Sequence, residues 1–113
     1  MLPSANRMRR STDFASVVRR GARARGPAVV VHQRLGIGTD AALVGFVVNR
    51  AVGGSVVRHR VTRRLRAQLA QRLPGLPRGS GTVVRALPAA ADATSAQLGA
   101  ALDSAFARLR TRA

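Results

Sequence analysis

Asn49-Arg50-Ala51-Val52-Gly53-Gly54-Ser55-Val56-Val57-Arg58-His59-Arg60-Val61-Thr62-Arg63-Arg64-Leu65-Arg66 is the stretch on which the reading of the chain turns: a strand ends, two glycines turn the backbone, and a helix loaded with arginine begins. Unpaired backbone N–H groups at a helix N-terminus carry roughly half a positive charge. Arg58 and Arg60 therefore work against the local stability of this helix. An anion on that end reverses the sign, because N–H groups, helix dipole and guanidinium forks converge on its oxygens. The stretch reads as a phosphate-binding element.

Ser55 is the expected N-cap, and the helix must stop by Leu73 because Pro74 follows. At about 100° per residue, Val57, Val61, Leu65 and Leu69 form one i+4 stripe with Leu73 at its edge, which is the core side. Arg60, Arg63 and Arg66 run at i+3 on the far side, flanked by His59 and Arg64. A charge run is usually a solvated helix face, but such faces carry mixed signs. This helix has no acidic residue to form i to i+4 pairs, so its self-repulsion is relieved only by a polyanion.

Upstream, residues 42–48 suit a strand, residues 36–40 a turn, and residues 28–35 another Val-rich strand, together an antiparallel hairpin. Residues 22–27, with arginines among Gly and Pro, read as a loop. Before them Phe14, Val17 and Val18 mark one face of a short helix, with Ser11 as N-cap, Asp13 in the first turn and Arg19, Arg20 and Gly21 at the end. Residues 1–10 carry Arg7, Arg9 and Arg10 with little to bury and read as a mobile basic arm. Downstream, residues 74–81 are a loop and residues 82–87 a strand. A last helix opens on a Thr94 to Gln97 capping box, with Leu98, Leu102, Ala105, Phe106 and Leu109 spaced for burial. Gly99 inside it costs about 1 kcal/mol relative to Ala.

The expected fold is α+β: a compact single-domain sandwich over residues 1–113, a small mixed sheet packed by helices, in the order α-β-β-(β)-α-β-α. The second strand, the basic helix and the final strand make a β-α-β unit, for which the general rule gives a right-handed crossover.

With 113 residues, of which 46% are hydrophobic, the chain can bury one core. Its 20 basic residues are all arginine and face 4 acidic ones, a net charge of +16 that calls for a polyanionic partner. Coding bias accounts for the missing lysines, in a chain also rich in Ala, Gly and Val, but leaves the charge unexplained. Without cysteine there is no disulfide framework or thiolate metal site. No signal peptide or membrane-spanning run is present, so a cytoplasmic location is expected and no membrane partner.

A protein-borne active site has little to stand on. There is no Glu, and Asp13, Asp40, Asp92 and Asp103 each have a helix-start, turn or charge-offsetting role available, with no pair placed for acid and base work. His32, in a strand, and His59, in the basic helix, lack metal-ligand spacing. His59 reads as a phosphate donor or base-stacking residue, and His32 as a sheet-face residue open to single-stranded nucleic acid. Gly53-Gly54 resembles a phosphate cradle in outline, yet no Walker-type or GxGxxG sequence accompanies it.

With these residues in hand, the sequence resembles the family of bacterial ribonuclease P protein subunits along nearly its whole length. The resemblance lies in Asn6-Arg7 with Arg9-Arg10 and Asp13-Phe14, in Gly45-Phe46-Val47-Val48 leading to Val52-Gly53, and above all in the run from Val57 to Arg66, close to the pattern V-R-N-R-x-K-R-x-x-R. It implies a fold similar to a ribosomal protein domain, with a left-handed β-α-β crossover in place of the usual hand. It further implies that Arg58, His59, Arg60, Arg63, Arg64 and Arg66 bind a catalytic RNA subunit, one protein to one RNA. The single-stranded 5′ leader of precursor tRNA would lie in a cleft between the first helix and the sheet, near Phe14, Val18, His32, Asn49 and Arg50. The RNA with its Mg2+ ions would cleave the phosphodiester bond, the protein binding no cofactor alone and supplying no catalytic residue. His59 stands where the family usually has Asn, Thr62 where Lys is common and Val18 where a second aromatic sits, and the strand at 28–32 lacks its usual rings. A ribosome-associated structural RNA-binding protein is the rival reading from charge and fold.

Overall fold

The computed structural model describes residues 2–38 and 40–112. They form α1 (Ser11–Arg20), β1 (Ala22–Arg25), β2 (Val29–Arg34), β3 (Leu43–Val47), α2 (Ser55–Ala70), β4 (Gly81–Ala86) and α3 (Ser95–Arg112). β4 is buried at every residue except Arg85, and a strand apolar on both faces belongs inside a sheet. The mixed sheet has the order β1-β2-β4-β3, with β2 antiparallel and β3 parallel to β4. α2 and α3 cover one face through Val61, Leu65, Leu69, Leu98 and Leu102, packed with Val31, Val44 and Val84 of the sheet. α1 covers part of the other face through Val17, with Met8, Phe14, Leu43, Val47 and Val83. The α+β sandwich and the parallel β-α-β unit expected from the sequence are both present.

The expected hairpin of residues 28–35 with 42–48 does not form, because β4 lies between those strands. The intervening loop is tied to the start of β4: Ile37 and Gly38 N–H donate to the Gly79 carbonyl at 2.9 and 3.1 Å, and Gly79 N–H donates to Asp40 O at 2.7 Å. That strap carries the chain across the central strand to its far side. The true hairpin is β1 with β2, and β1 occupies the residues expected to be a loop. Its sequence Ala22-Arg23-Ala24-Arg25 has the period of a strand with Ala24 buried and both arginines exposed.

The N-terminal segment is not a mobile arm. Leu2 is 2% exposed and Met8 6%; Arg7 forms a parallel bridge with Val44, and Met8 N–H donates to Val44 O at 2.8 Å. β3 is an edge strand, and this segment covers the edge that would otherwise be open.

Helix starts also differ from expectation. Arg10 and Gly54, not Ser11 and Ser55, occupy the N-cap positions of α1 and α2, and neither provides a side-chain bond. The α3 capping box forms in full, with Gln97 N–H donating to Thr94 Oγ1 at 3.1 Å and Thr94 N–H to Gln97 Oε1 at 2.8 Å.

Gly99 sits where α3 meets α2, and a methyl group there would run into the Gln68 amide and approach Arg72 Nη2. Gln68 donates to Ser95 Oγ at 2.8 Å and accepts from Arg72 Nη1 at 2.9 Å. Arg72 in turn grips Asp103 through Nε and Nη2 at 2.6 and 3.0 Å. Gly99→Ala should therefore fail to deliver the roughly 1 kcal/mol that helix propensity promises. Urea denaturation is expected to give equal or lower stability; a gain would show that the helices have room to spare.

Candidate nucleic-acid interface

α2 begins from a turn built by the backbone. Asn49 Oδ1 accepts from Ala51 N–H at 3.1 Å, and Asn49 O accepts from Val52 N–H at 3.1 Å. Gly53 then takes φ of 156°, a region that side chains disfavour. Val61, Leu65 and Leu69 are fully buried and Val57 half-buried, so the core stripe fixes which way the helix turns its arginines.

Those arginines divide into two sets. Arg60 Nη2 donates to Ala91 O at 3.1 Å and Arg64 Nη1 to Ala93 O at 2.8 Å, bracing the 3-10 turn Pro88–Asp92 that leads into α3. Arg58, His59, Arg63 and Arg66 lie toward the other side and line a groove of three adjoining cavities. One, of about 290 Å³, is lined by Leu2, Arg7, His59, Thr62, Arg63 and Arg66. A second, of about 260 Å³, lies against Ser55, Arg58, His59, Thr62 and Arg66. The third, also about 260 Å³, reaches Phe14 and the edge of β3 through Arg7, Met8, Gly45, Thr62 and Arg66.

Thr62 and Arg66 thus belong to all three cavities, and the face presented is 59, 62, 63 and 66 in place of the i+3 row 60, 63, 66. Thr62 turns its hydroxyl back onto Arg58 O at 2.8 Å, so it offers the groove a methyl group and no charge. The docked N-terminal segment forms the opposite wall, where Arg7 Nε donates to Leu2 O at 3.3 Å. Arg9 donates to Ser4 Oγ at 2.6 Å, and Arg10 is exposed at the start of α1. Size alone would have pointed elsewhere: a cavity of about 680 Å³ near Ile37, Asp40 and Ser80 has no basic residue in its lining.

Among the leader candidates, Phe14 packs against Gly45, where any side chain would collide with the edge of its ring. It is both packed and part of the groove wall. Val18 is 44% exposed on α1, and Asn49 and Arg50 are both exposed beyond β3. His32 is not open as expected: it is 6% exposed, and its Nδ1 is buried without a partner among the described residues. Burial first, then the charges of Arg23 and Arg85, hold its pKa below the ordinary 6.5.

The sheet face beside α1 carries arginines that the sequence pattern did not single out. Cross-strand pairing makes one row of Arg23, His32, Val83 and Gly45, and a second of Arg25, Val30, Arg85 and Val47. Arg23, Arg25 and Arg85 are exposed. Arg34, in the next row, donates to Ser16 Oγ of α1. The signal lay in the strand period of Ala22–Arg25 and in the single arginine of an otherwise uncharged β4. Among the described residues no three His, Cys, Asp or Glu side chains come together as a metal-binding group.

A family model described as Ribonuclease P matches residues 2–110. The ribonuclease P protein component of Streptomyces bikiniensis is 53% identical over 117 residues, covering 96% of this chain and 95% of that protein. That of Beutenbergia cavernae is 51% identical over 113 residues, covering 100% and 95%. Among solved structures, the RNase P protein of Staphylococcus aureus superposes with a TM-score of 0.80 at 21% identity, over 91% of this chain and 94% of that one. The Thermotoga maritima RNase P protein gives a TM-score of 0.75 at 22% identity, over 87% and 92%.

His32 gives the fold a pH signature. Its folded pKa lies below the unfolded value, so the unfolded chain binds the proton more readily, and stability falls as pH drops through 6.5 toward the folded pKa. Urea denaturation between about pH 5 and pH 8 should show this decline, and His32→Gln should remove that part of it. An unchanged pH dependence in the variant would mean that the His32 pKa does not move on folding.

Proposed function

Because the chain belongs to the ribonuclease P protein family, we propose that it works in the cytoplasm as the RNA-binding subunit that assists a catalytic RNA in removing the 5′ leader from precursor tRNA. Ribonuclease P is an endoribonuclease, and this family is its protein component. The observation that carries the reading is the groove shared by Thr62 and Arg66, which joins the basic face of α2 to the edge of the sheet at Phe14.

The chemistry assigns parts to the two ends of that groove. Guanidinium forks of Arg58, Arg63 and Arg66, with His59 beside them, suit phosphate oxygens of a folded RNA. A polyanion there relieves the repulsion among these cations and meets the uncapped N-terminus of α2. The other end, with Phe14, Arg7 and the sheet behind it, suits the flexible single-stranded leader, and Asn49 and Arg50 stand at the end of β3 close by. Arg60 and Arg64 contribute by holding the turn before α3, with guanidinium donors left over for RNA. Magnesium ions held by the RNA supply the hydrolytic chemistry when the holoenzyme is assembled. This chain lowers phosphate repulsion, raising affinity for leader-bearing substrate and helping the RNA keep its fold and its ions.

The two arginine sets separate experimentally. Arg63→Ala with Arg66→Ala should lower the steepness of log K against log salt for the RNA subunit by about 0.7 to 0.9 for each phosphate no longer neutralised, with little change in melting temperature. Arg60→Ala with Arg64→Ala should mainly lower the melting temperature, because the carbonyls of Ala91 and Ala93 lose their donors. An unchanged salt slope in the first double variant would remove the groove from RNA binding.

A further inference from the structure

We infer that the open face of the sheet is a phosphate track for the leader strand, in which Arg25 and Arg85, with Arg23 beside His32, grip backbone charge so that recognition is carried by phosphates and not by stacked bases. This rests on the leader-binding reading above and says how that site would discriminate.

Three observations lead to it. In the row Arg25, Val30, Arg85, two exposed arginines stand on either side of a valine that is 5% exposed. Arg25 and Arg85 have no carboxylate within ion-pair distance among the described residues. Like charges gathered on one face of a sheet repel, and an anionic strand laid across the row reverses that cost. Nor does this part of the sheet present an exposed ring, since His32 is itself only 6% exposed. Phe14 lies over Gly45, Phe46 packs into the core of the opposite face and Phe106 is 7% exposed within that same core. Finally the track is continuous with the groove. The row from Arg23 and His32 ends at Gly45, beneath Phe14, and the row from Arg25 ends at Val47 on the same edge strand. His32, Val83 and Gly45 of the first row are buried, so a strand leaving the groove past Phe14 would run along the second row, by Val47, Arg85 and Arg25.

The test uses holoenzyme reconstituted from the full chain and its RNA subunit. Binding is measured for precursor tRNA with its natural leader, with a leader of equal length made abasic, and with none, each with and without protein. The protein-dependent part of leader affinity should survive loss of the bases. It should weaken in Arg25→Ala/Arg85→Ala, with the salt slope reduced by about 0.7 for each leader phosphate released. Arg25→Lys/Arg85→Lys should recover most of the slope, since a lysine still meets a phosphate as a point charge, and this separates lost charge from lost fold. A drop of roughly 5- to 150-fold on removing the bases, the range expected for each stacked base, would overturn the inference and leave the leader-binding reading intact. So would an Ala double variant with wild-type affinity and slope. Absence of any protein-dependent leader affinity in the wild type would overturn the leader-binding reading and this inference together.

Discussion

Twenty guanidinium groups and four carboxylates in 113 residues cannot neutralise one another, and the repulsion left over works against any compact state. Arg72 and Asp103 form an ion pair beside the contact of α2 with α3. Much of the remaining charge is handled by backbone carbonyls. Leu2, Ala91, Ala93, Gln68 and Arg25 each accept from an arginine through their main-chain oxygen. Such acceptors at turns and helix ends are short of partners anyway, so the arginines satisfy the chain while remaining cationic. Arg58, Arg63 and Arg66, not used in this way, stand on the α2 groove, and Arg23, Arg25 and Arg85 are exposed on the sheet face.

What directs them there is the core. Val61, Leu65 and Leu69 can be buried only if α2 lies on the sheet in one rotational setting, and that setting sends residues 59, 63 and 66 toward the N-terminal segment. The buried Leu2 and Met8 then complete the groove by holding Arg7 against β3. On the opposite face, Gly45 and Gly81 leave the space that Phe14 and Val17 occupy, so α1 covers one end of the sheet and leaves the arginine rows at the other end open. The placement of the exposed arginines is in this way a consequence of apolar packing on both sides of β4.

Much of this was legible in the sequence. The 3.6-residue period of α2 and α3 gave their core faces, Thr94 and Gln97 gave a cap that forms, and the run from Val57 to Arg66 pointed to RNA. What escaped depended on contacts distant in the chain. Nothing local distinguishes a hairpin of residues 28–35 and 42–48 from two strands separated by β4; the strap of Ile37 and Gly38 onto Gly79 decides it. Leu2 has no periodic pattern to announce its burial. The partition of Arg60 and Arg64 from Arg63 and Arg66 follows from where the carbonyls of Ala91 and Ala93 happen to lie, far along the chain. Ala22–Arg25 was within reach, because its alternation was plain, but Gly and Pro beside it argued for a loop.

On the proposed function this chain is a charge-bearing partner whose catalytic centre lies in RNA. The most direct measurement is reconstitution with a candidate RNA subunit at low magnesium, scored for release of the 5′ leader from precursor tRNA. The proposed function predicts no cleavage by protein alone, weak cleavage by RNA alone and strong cleavage by the two together. Leader release by the purified protein without any RNA subunit would contradict it.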